Sequence, residues 1–191
     1  SIRARTGYPH YEIIVVDNDD LRTETLTAVR YSECRFVHFK EQFNVARKMN
    51  LGASHARGDY VVFLNDDVEV IEPAWLEAML QLAQRAEIGV VGAKLLFEDG
   101  TLQHVGVTFN HDGLPYHVLR TYPGSYPGHY FSCVATRNYL AVTGACLMTR
   151  TEVFRRVNGF DEGFPINYND IDYCLRVGQA GLRVVFCPHA R

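Results

Sequence analysis

The chain is short of several things that would point to common functions. Its 19 Lys and Arg against 22 Asp and Glu leave a net charge of −3, and the basic residues form no run. The electrostatic footprint of a nucleic-acid-binding domain is therefore missing. Cysteine is sparse and odd in number, at 34, 133, 146, 174 and 187, with no CxxC pair. That argues against a disulfide framework and a thiolate zinc site, and favours a reducing compartment. No apolar run approaches the length that spans a bilayer. No GxGxxG follows an early strand and no GxxxxGK[ST] occurs, which disfavours a dinucleotide dehydrogenase and excludes a P-loop. There is no internal repeat and no domain linker.

What is present is ordinary globular material, 191 residues at 47% hydrophobic, enough for one domain with one sizeable core. Residues 12–16 (EIIVV) and 60–64 (YVVFL) are short apolar runs that read as buried strands. A helix is expected over 21–30 and a strand near 35–39. Asn44 is placed to cap a helix that Gly58 stops, with Ala46, Met49, Ala53 and Ala56 near helical spacing. Pro73 suits the first turn of a helix whose face carries Leu76, Met79, Leu80 and Ala83. A strand over 88–92 follows. This alternation predicts an α/β domain with a mostly parallel central sheet flanked by helices.

The pattern then changes. Residues 94–97 and 101–109 read as a β-hairpin insertion around an Asp-Gly turn. Residues 111–138 carry Gly, Pro, His and Tyr with no period, which reads as a long loop, either functional or, the simpler reading, an irregular surface connection. A strand is expected over 140–149. Thr149 and Glu152 have capping-box spacing for a short helix. A last helix runs from about Asn169 to Gly181, and a strand covers 182–187.

Ligands of open α/β sheets bind beyond the carboxyl ends of the strands. Two strands here end in acids, Asp17 with Asp19 and Asp20, and Asn65-Asp66-Asp67. Asp19 and Asp20 read as turn acids. In an extended chain Asn65 and Asp67 point to one side and can converge on one ion, and oxygen ligands suit Mg²⁺ or Mn²⁺. Such a site is incomplete, as when a substrate's phosphates supply the remaining ligands. A third acidic cluster, Asn169-Asp170-Ile171-Asp172, opens the last helix. Asn169 can cap it, acids in a first turn favour the dipole, and an i, i+4 ion pair with Arg176 accounts for Asp172; Asp170 faces out from the helix start and could act as a base.

Four segments together resemble family-2 glycosyltransferases of the GT-A fold. They are EIIVVDNDD, FNVARKMNLGASHARGDYVVFLNDDVEV, AVTGACLMTRTEVFRRVNGFDEGF and YNDIDYCLRVGQAGLRVVFCPHA, in that order over nearly the whole chain. KLLFEDGTLQHVGV is similar to a bacterial subgroup that builds surface polysaccharides, including rhamnosyltransferases. The resemblance implies an inverting transfer of a sugar from a UDP- or dTDP-sugar to a saccharide or lipid-linked acceptor. It implies that Asp17 contacts the nucleoside, and that Asn65 and Asp67 hold the metal. Asp66 then contacts ribose or sugar, Gly144 and Ala145 line the sugar and acceptor pocket, and Asp170 is the general base; Asp172 and Arg176 are second-tier candidates.

The chain departs from the family pattern in its neutral Asn65 and in Asn169, where many members carry Glu. The family's first strand would lie before Ser1, so residues 1–191 read as one catalytic domain cut short at both ends. The expected location is the cytoplasm, with peripheral attachment to the inner face of the membrane left open. The competing readings are a non-catalytic sugar-nucleotide-binding domain and, further off, a Mg²⁺-binding receiver-type module in which Lys94 would have to serve at the acid site.

Overall fold

The computed structural model describes residues 2–18 and 34–191. The helix expected over 21–30, and Asp19 and Asp20, lie outside the described residues. After a short helix α1 (Ile2–Arg5), strand β1 (Ile14–Asp17) pairs in parallel with β2 (Arg35–His38). Helix α2 (Val45–His55) is capped as its sequence predicts: the Asn44 side chain accepts the Arg47 N–H at 3.0 Å. It packs on β1, with Gly52 against Val16. A Cβ added at Gly52 would lie 3.0 Å from Val16 Cγ2, so this close approach depends on glycine.

The central sheet has five strands: β3 (Tyr60–Leu64), β4 (Ile88–Ala93), β9 (Arg137–Tyr139), β10 (Cys146–Arg150) and β11 (Arg183–Cys187), ordered β3-β10-β4-β11-β9. β4 and β11 run parallel. β10 enters antiparallel between β3 and β4, and β9 is antiparallel on the far side of β11. The class is α/β as expected, but the sheet is mixed. Period-2 patterning marks a buried run as a strand without saying which strands lie beside it or in which direction.

Alternation within the strands divides the core into two layers. Val90, Leu147 and Val184 face one side, while Val91, Met148 and Val185 face the other. On the first side Phe63, Phe154, Phe160 and Tyr173 form an aromatic cluster with helices α4 (Thr151–Arg156) and α5 (Asn169–Gln179). On the second, Trp75, Leu76, Met79 and Ala83 of helix α3 (Trp75–Ala83) cover the sheet, the face that the helical spacing predicts. Among the described residues no helix is long and apolar enough to cross a bilayer.

The insertion departs further from its sequence reading. β5 (Leu95–Leu96) and β6 (Leu102–His104) form the expected hairpin, with Gly100 at φ 80° in its turn. The second arm does not continue to 109. It breaks at Gly106, φ 133°, where a Cβ would strike the Tyr139 ring at 2.4 Å. β7 (Val107–Phe109) then pairs with β8 (Pro115–His117) instead. Residues 111–138 are thus not one structureless loop, since β8, a 3₁₀ turn at 129–131 and the start of β9 lie within them.

Two expected caps are absent. Thr149 is buried in β10, its hydroxyl donating to Gly89 C=O at 2.8 Å and accepting from Tyr173 Oη–H at 2.8 Å, so it caps nothing. Asn169 is the first residue of α5 rather than its cap, and the left-handed Tyr168 (φ 68°) precedes it. The Asn169 amide turns back to the carbonyls of Phe164 and Ile166, at 3.3 and 3.2 Å. For Thr149 tertiary partners replace the local backbone N–H that capping would satisfy, whereas Asn169 lies inside the helix and bonds carbonyls of the turn just before it.

Candidate active site

β1 carries Asp17 at its own carboxyl end, in a two-stranded β1-β2 sheet separate from the central five-stranded one, where a single sheet was expected. The residue is only 4% exposed, and its Oδ1 is sealed from solvent with no hydrogen-bond partner among the described residues. Buried polar atoms are nearly always paired, so an orphan carboxylate oxygen at a strand end marks a position where a ligand donor fits. One residue on, Asn18 Oδ1 accepts a hydrogen bond from Lys48 Nζ of α2. That ammonium also lies 5.5 Å from the Phe43 ring centroid.

β3 ends at Leu64, and the chain turns at Asp66 and Asp67. The extended geometry invoked for Asn65 and Asp67 therefore stops before the pair is complete; all three side chains of Asn65-Asp66-Asp67 are exposed. Among the described residues no three His, Cys, Asp or Glu side chains cluster as a metal site. The oxygen donors fit a hard divalent cation that takes its other ligands from a diphosphate. They do not make a closed protein cage.

Residues 143–145, expected to be strand, are instead the junction of the site. The Gly144 N–H donates to Asp170 Oδ2 at 2.8 Å. The Ala145 C=O accepts the Asn65 N–H at 3.1 Å. The Thr143 N–H donates to His104 Nε2 at 3.3 Å. One tripeptide thus ties the acidic turn after β3, the start of α5 and the hairpin insertion to each other. Its amides serve these partners, so β10 begins only at Cys146. The fit at Gly144 is tight: a Cβ there would lie 3.3 Å from Asp170 Cβ, so a larger residue would push that side chain by a few tenths of an ångström.

Asp170 is half-buried, and its second oxygen accepts the Ile171 N–H at 2.8 Å. Both carboxylate oxygens are oriented by backbone donors. Asp172 is differently employed. It forms a 2.6 Å ion pair with Arg176, whose guanidinium also donates to Gly159 C=O at 2.7 Å and to Val157 C=O. Asp172 and Arg176 lock α5 to the turn after α4, as their spacing predicts. Lys94 is buried, donating to Gly124 C=O at 2.9 Å and Cys133 C=O at 3.4 Å, and burial lowers its pKa. Its ammonium is engaged under the 111–138 segment, which removes the lysine that a receiver-type module would need.

Sequence reasoning missed a histidine pair. His104 of β6 is fully buried and His117 of β8 half-buried, with Nδ1 to Nδ1 at 3.0 Å and rings nearly perpendicular at 81°. Burial above all, with the neighbouring His117 second, holds His104 well below the usual histidine pKa. Burial also lowers His117, Arg120 acting with it and the Asp170 carboxylate against it. The two residues are 13 apart, in a hairpin arm and in what looked like loop, so no spacing rule links them.

Residues 1–157 match the family model described as glycosyl transferase family 2. The O-antigen biosynthesis protein RfbC of Myxococcus xanthus is 40% identical over 198 residues, which is 100% of this chain and 15% of that protein. The chain spans less than a quarter of the length of the curated relatives that match it throughout. Two solved structures share the fold. One is GalNAc-T7 with UDP, GalNAc and Mn²⁺, at TM-score 0.71 and 15% identity, covering 93% of this chain and 36% of the other. The second is the mannosyltransferase PcManGT of Pyrobaculum calidifontis with GDP-Man and Mn²⁺, at TM-score 0.69 and 17% identity, covering 98% and 49%.

Proposed function

We propose that this chain, which belongs to glycosyl transferase family 2 and has a GT-A fold, catalyses inverting transfer of a sugar from a nucleoside diphosphate to a saccharide hydroxyl. The observation that carries the reading is the junction at Gly144 and Ala145. Asn65 and Asp170 are far apart in sequence, yet they hydrogen-bond adjacent residues. That is the closeness needed by a donor-side acid motif and an acceptor-side base. We place the whole of residues 1–191 in one catalytic domain.

Asp17 takes the nucleoside, its orphan Oδ1 accepting a ribose hydroxyl or base N–H. Asn65 and Asp67 are the residues that would hold a divalent cation, Mg²⁺ or Mn²⁺, which supplies positive charge beside the leaving diphosphate. Asp66 is exposed next to them and within reach of ribose or sugar. Gly144 and Ala145 sit beside the sugar pocket, the buried Gly144 fixing Asp170 through its N–H. Asp170 removes the acceptor proton as that oxygen bonds to C1. The C1–O bond to the diphosphate breaks on the opposite face and its electron pair leaves with the phosphate oxygen. The oriented Asp170 carboxylate holds the proton until solvent takes it.

The donors considered are UDP- and dTDP-sugars. Kinship with an O-antigen biosynthesis protein supports a role in bacterial cell-surface polysaccharide synthesis, on a saccharide or lipid-linked acceptor. We place that work in the cytoplasm. The test is calorimetric titration of UDP and dTDP with and without Mn²⁺, beside Asp67→Ala. Binding that needs Mn²⁺ and is lost in the variant is expected. Metal-independent binding, equal in both proteins, would remove Asp67 from the donor site; binding without transfer under any donor would favour a non-catalytic sugar-nucleotide-binding domain.

A further inference from the structure

The histidine pair has its protons placed by its surroundings. The Thr143 N–H points at His104 Nε2, so that nitrogen carries a lone pair. A neutral His104 must then hold its proton on Nδ1 and donate it across 3.0 Å to His117 Nδ1. His117 Nδ1 is thereby an acceptor, and its own proton sits on Nε2. That Nε2 has no partner among the described residues and is not among the sealed, unpaired atoms. His117 lines an open cleft of about 600 Å³ with Tyr116, Arg120, Tyr122, His129 and Tyr139. The volume lies within the roughly 300–1,000 Å³ of small-molecule sites. Its flat rings, hydroxyls and N–H donors suit a sugar, whose faces are apolar and whose edges carry hydroxyls.

Two links join this cleft to the reaction centre. His104 and Asp170 accept hydrogen bonds from consecutive amides, Thr143 and Gly144. Asp170 is also close enough to act electrostatically on His117. We propose that the cleft is the acceptor subsite of the transfer, that His117 donates its Nε2–H to a hydroxyl or ring oxygen of the acceptor saccharide, and that His104 is the positioning residue fixing this tautomer. The proposal rests on the glycosyltransferase reading and adds the place and the polarity of acceptor recognition. A donor at this point directs an acceptor oxygen lone pair to the histidine and leaves the reacting hydroxyl free for Asp170. Protonation of His117 would set two Nδ1–H groups face to face and break the pair; burial and Arg120 oppose that event, while Asp170 favours it.

The experiment is long-range ¹H–¹⁵N correlation of the histidine rings in the whole, ¹⁵N-labelled chain with UDP or dTDP and diamagnetic Mg²⁺. Methyl α-L-rhamnopyranoside, methyl β-D-glucopyranoside and methyl N-acetyl-β-D-glucosaminide serve as probes. Expected are a His104 Nδ1–H and a His117 Nε2–H tautomer, and a shift of His117 Nε2 on adding at least one glycoside. His117→Phe should weaken that glycoside about five- to tenfold, the value of one hydrogen bond. His117→Gln, whose amide can donate in place of Nε2–H, should retain it. A His117 proton on Nδ1, or His117 signals unmoved by every probe at its solubility limit, overturns the proposal. Nucleotide binding is measured in the same samples. Its absence in the parent chain counts against the glycosyltransferase reading, whereas normal nucleotide binding with an unmoved His117 sinks the acceptor subsite alone.

Discussion

Gly144 and Asp170 meet backbone to side chain, N–H to Oδ2 at 2.8 Å, in a gap that has no room for a methyl group without movement. The contact orients the carboxylate proposed as base and joins it to the residue whose neighbour holds Asn65. Chemistry that depends on this gap should be sensitive to alterations too small to unfold the chain.

Gly144→Ala should therefore separate activity from stability. The new Cβ, 3.3 Å from Asp170 Cβ, displaces the carboxylate by a few tenths of an ångström. Misplacement of a reacting group by about 1 Å can cost roughly 10²-fold, so a loss of about tenfold in nucleoside diphosphate release from the sugar donor is expected. The melting temperature should move little. Unchanged turnover would show that the gap does not position the reaction.

Asp170→Asn keeps an oxygen that can accept the Gly144 N–H but loses the group that takes a proton. Transfer should fall by about 10²- to 10⁴-fold, the usual worth of a general base. Binding of UDP or dTDP with Mn²⁺, read by calorimetry, should be unchanged. If binding falls in step with transfer, Asp170 belongs to the donor site instead.

Asp17→Ala should weaken nucleotide binding without weakening the fold. A buried oxygen left unpaired costs about 1–3 kcal/mol, so its removal leaves the melting temperature equal or higher. Nucleotide affinity should drop by about tenfold or more, the scale of a charge-assisted hydrogen bond. A large fall in melting temperature with affinity intact would make Asp17 a structural residue.

Acid should loosen the insertion first. Burial holds folded His104 well below 6.5, whereas the unfolded chain protonates near 6.5. As the pH falls below about 6.5 the unfolded state takes up the extra proton, and stability declines until the pH passes the depressed folded value. Above about 6.5 the contribution is fully present. His117 acts in the same direction. Urea denaturation across this window should show the decline, and His104→Gln should flatten it relative to the parent chain. Equal slopes in the two proteins would contradict the assignment.

Local chemistry made much of this legible in advance. The runs at 60–64 and 88–92 are apolar and of strand length, and the Asn44 cap and the buried face of α3 follow from helical spacing. Asp17 closing strand 14–17 and the acids after strand 60–64 fall at the carboxyl ends of those strands, because chain order alone sets that. The ion pair of Asp172 with Arg176 is likewise an i, i+4 event.

Other features have no local cause. Thr149 looks like a cap, but its hydroxyl meets Gly89 and Tyr173. The entry of β10 between β3 and β4 depends on which buried faces complement one another, and that is a pairing of distant segments.

The sequence by itself determined the strands at 60–64 and 88–92, the helices after Asn44 and around Leu76, the family and the acids at the strand ends, since periodicity and short motifs are properties of neighbouring residues. Only the tertiary structure decided that Thr143, Gly144 and Ala145 would reach His104, Asp170 and Asn65, and that two histidines 13 residues apart would share a proton. Such contacts arise when a backbone amide freed from strand pairing must find an acceptor in the packed interior, and where that acceptor lies depends on the whole fold.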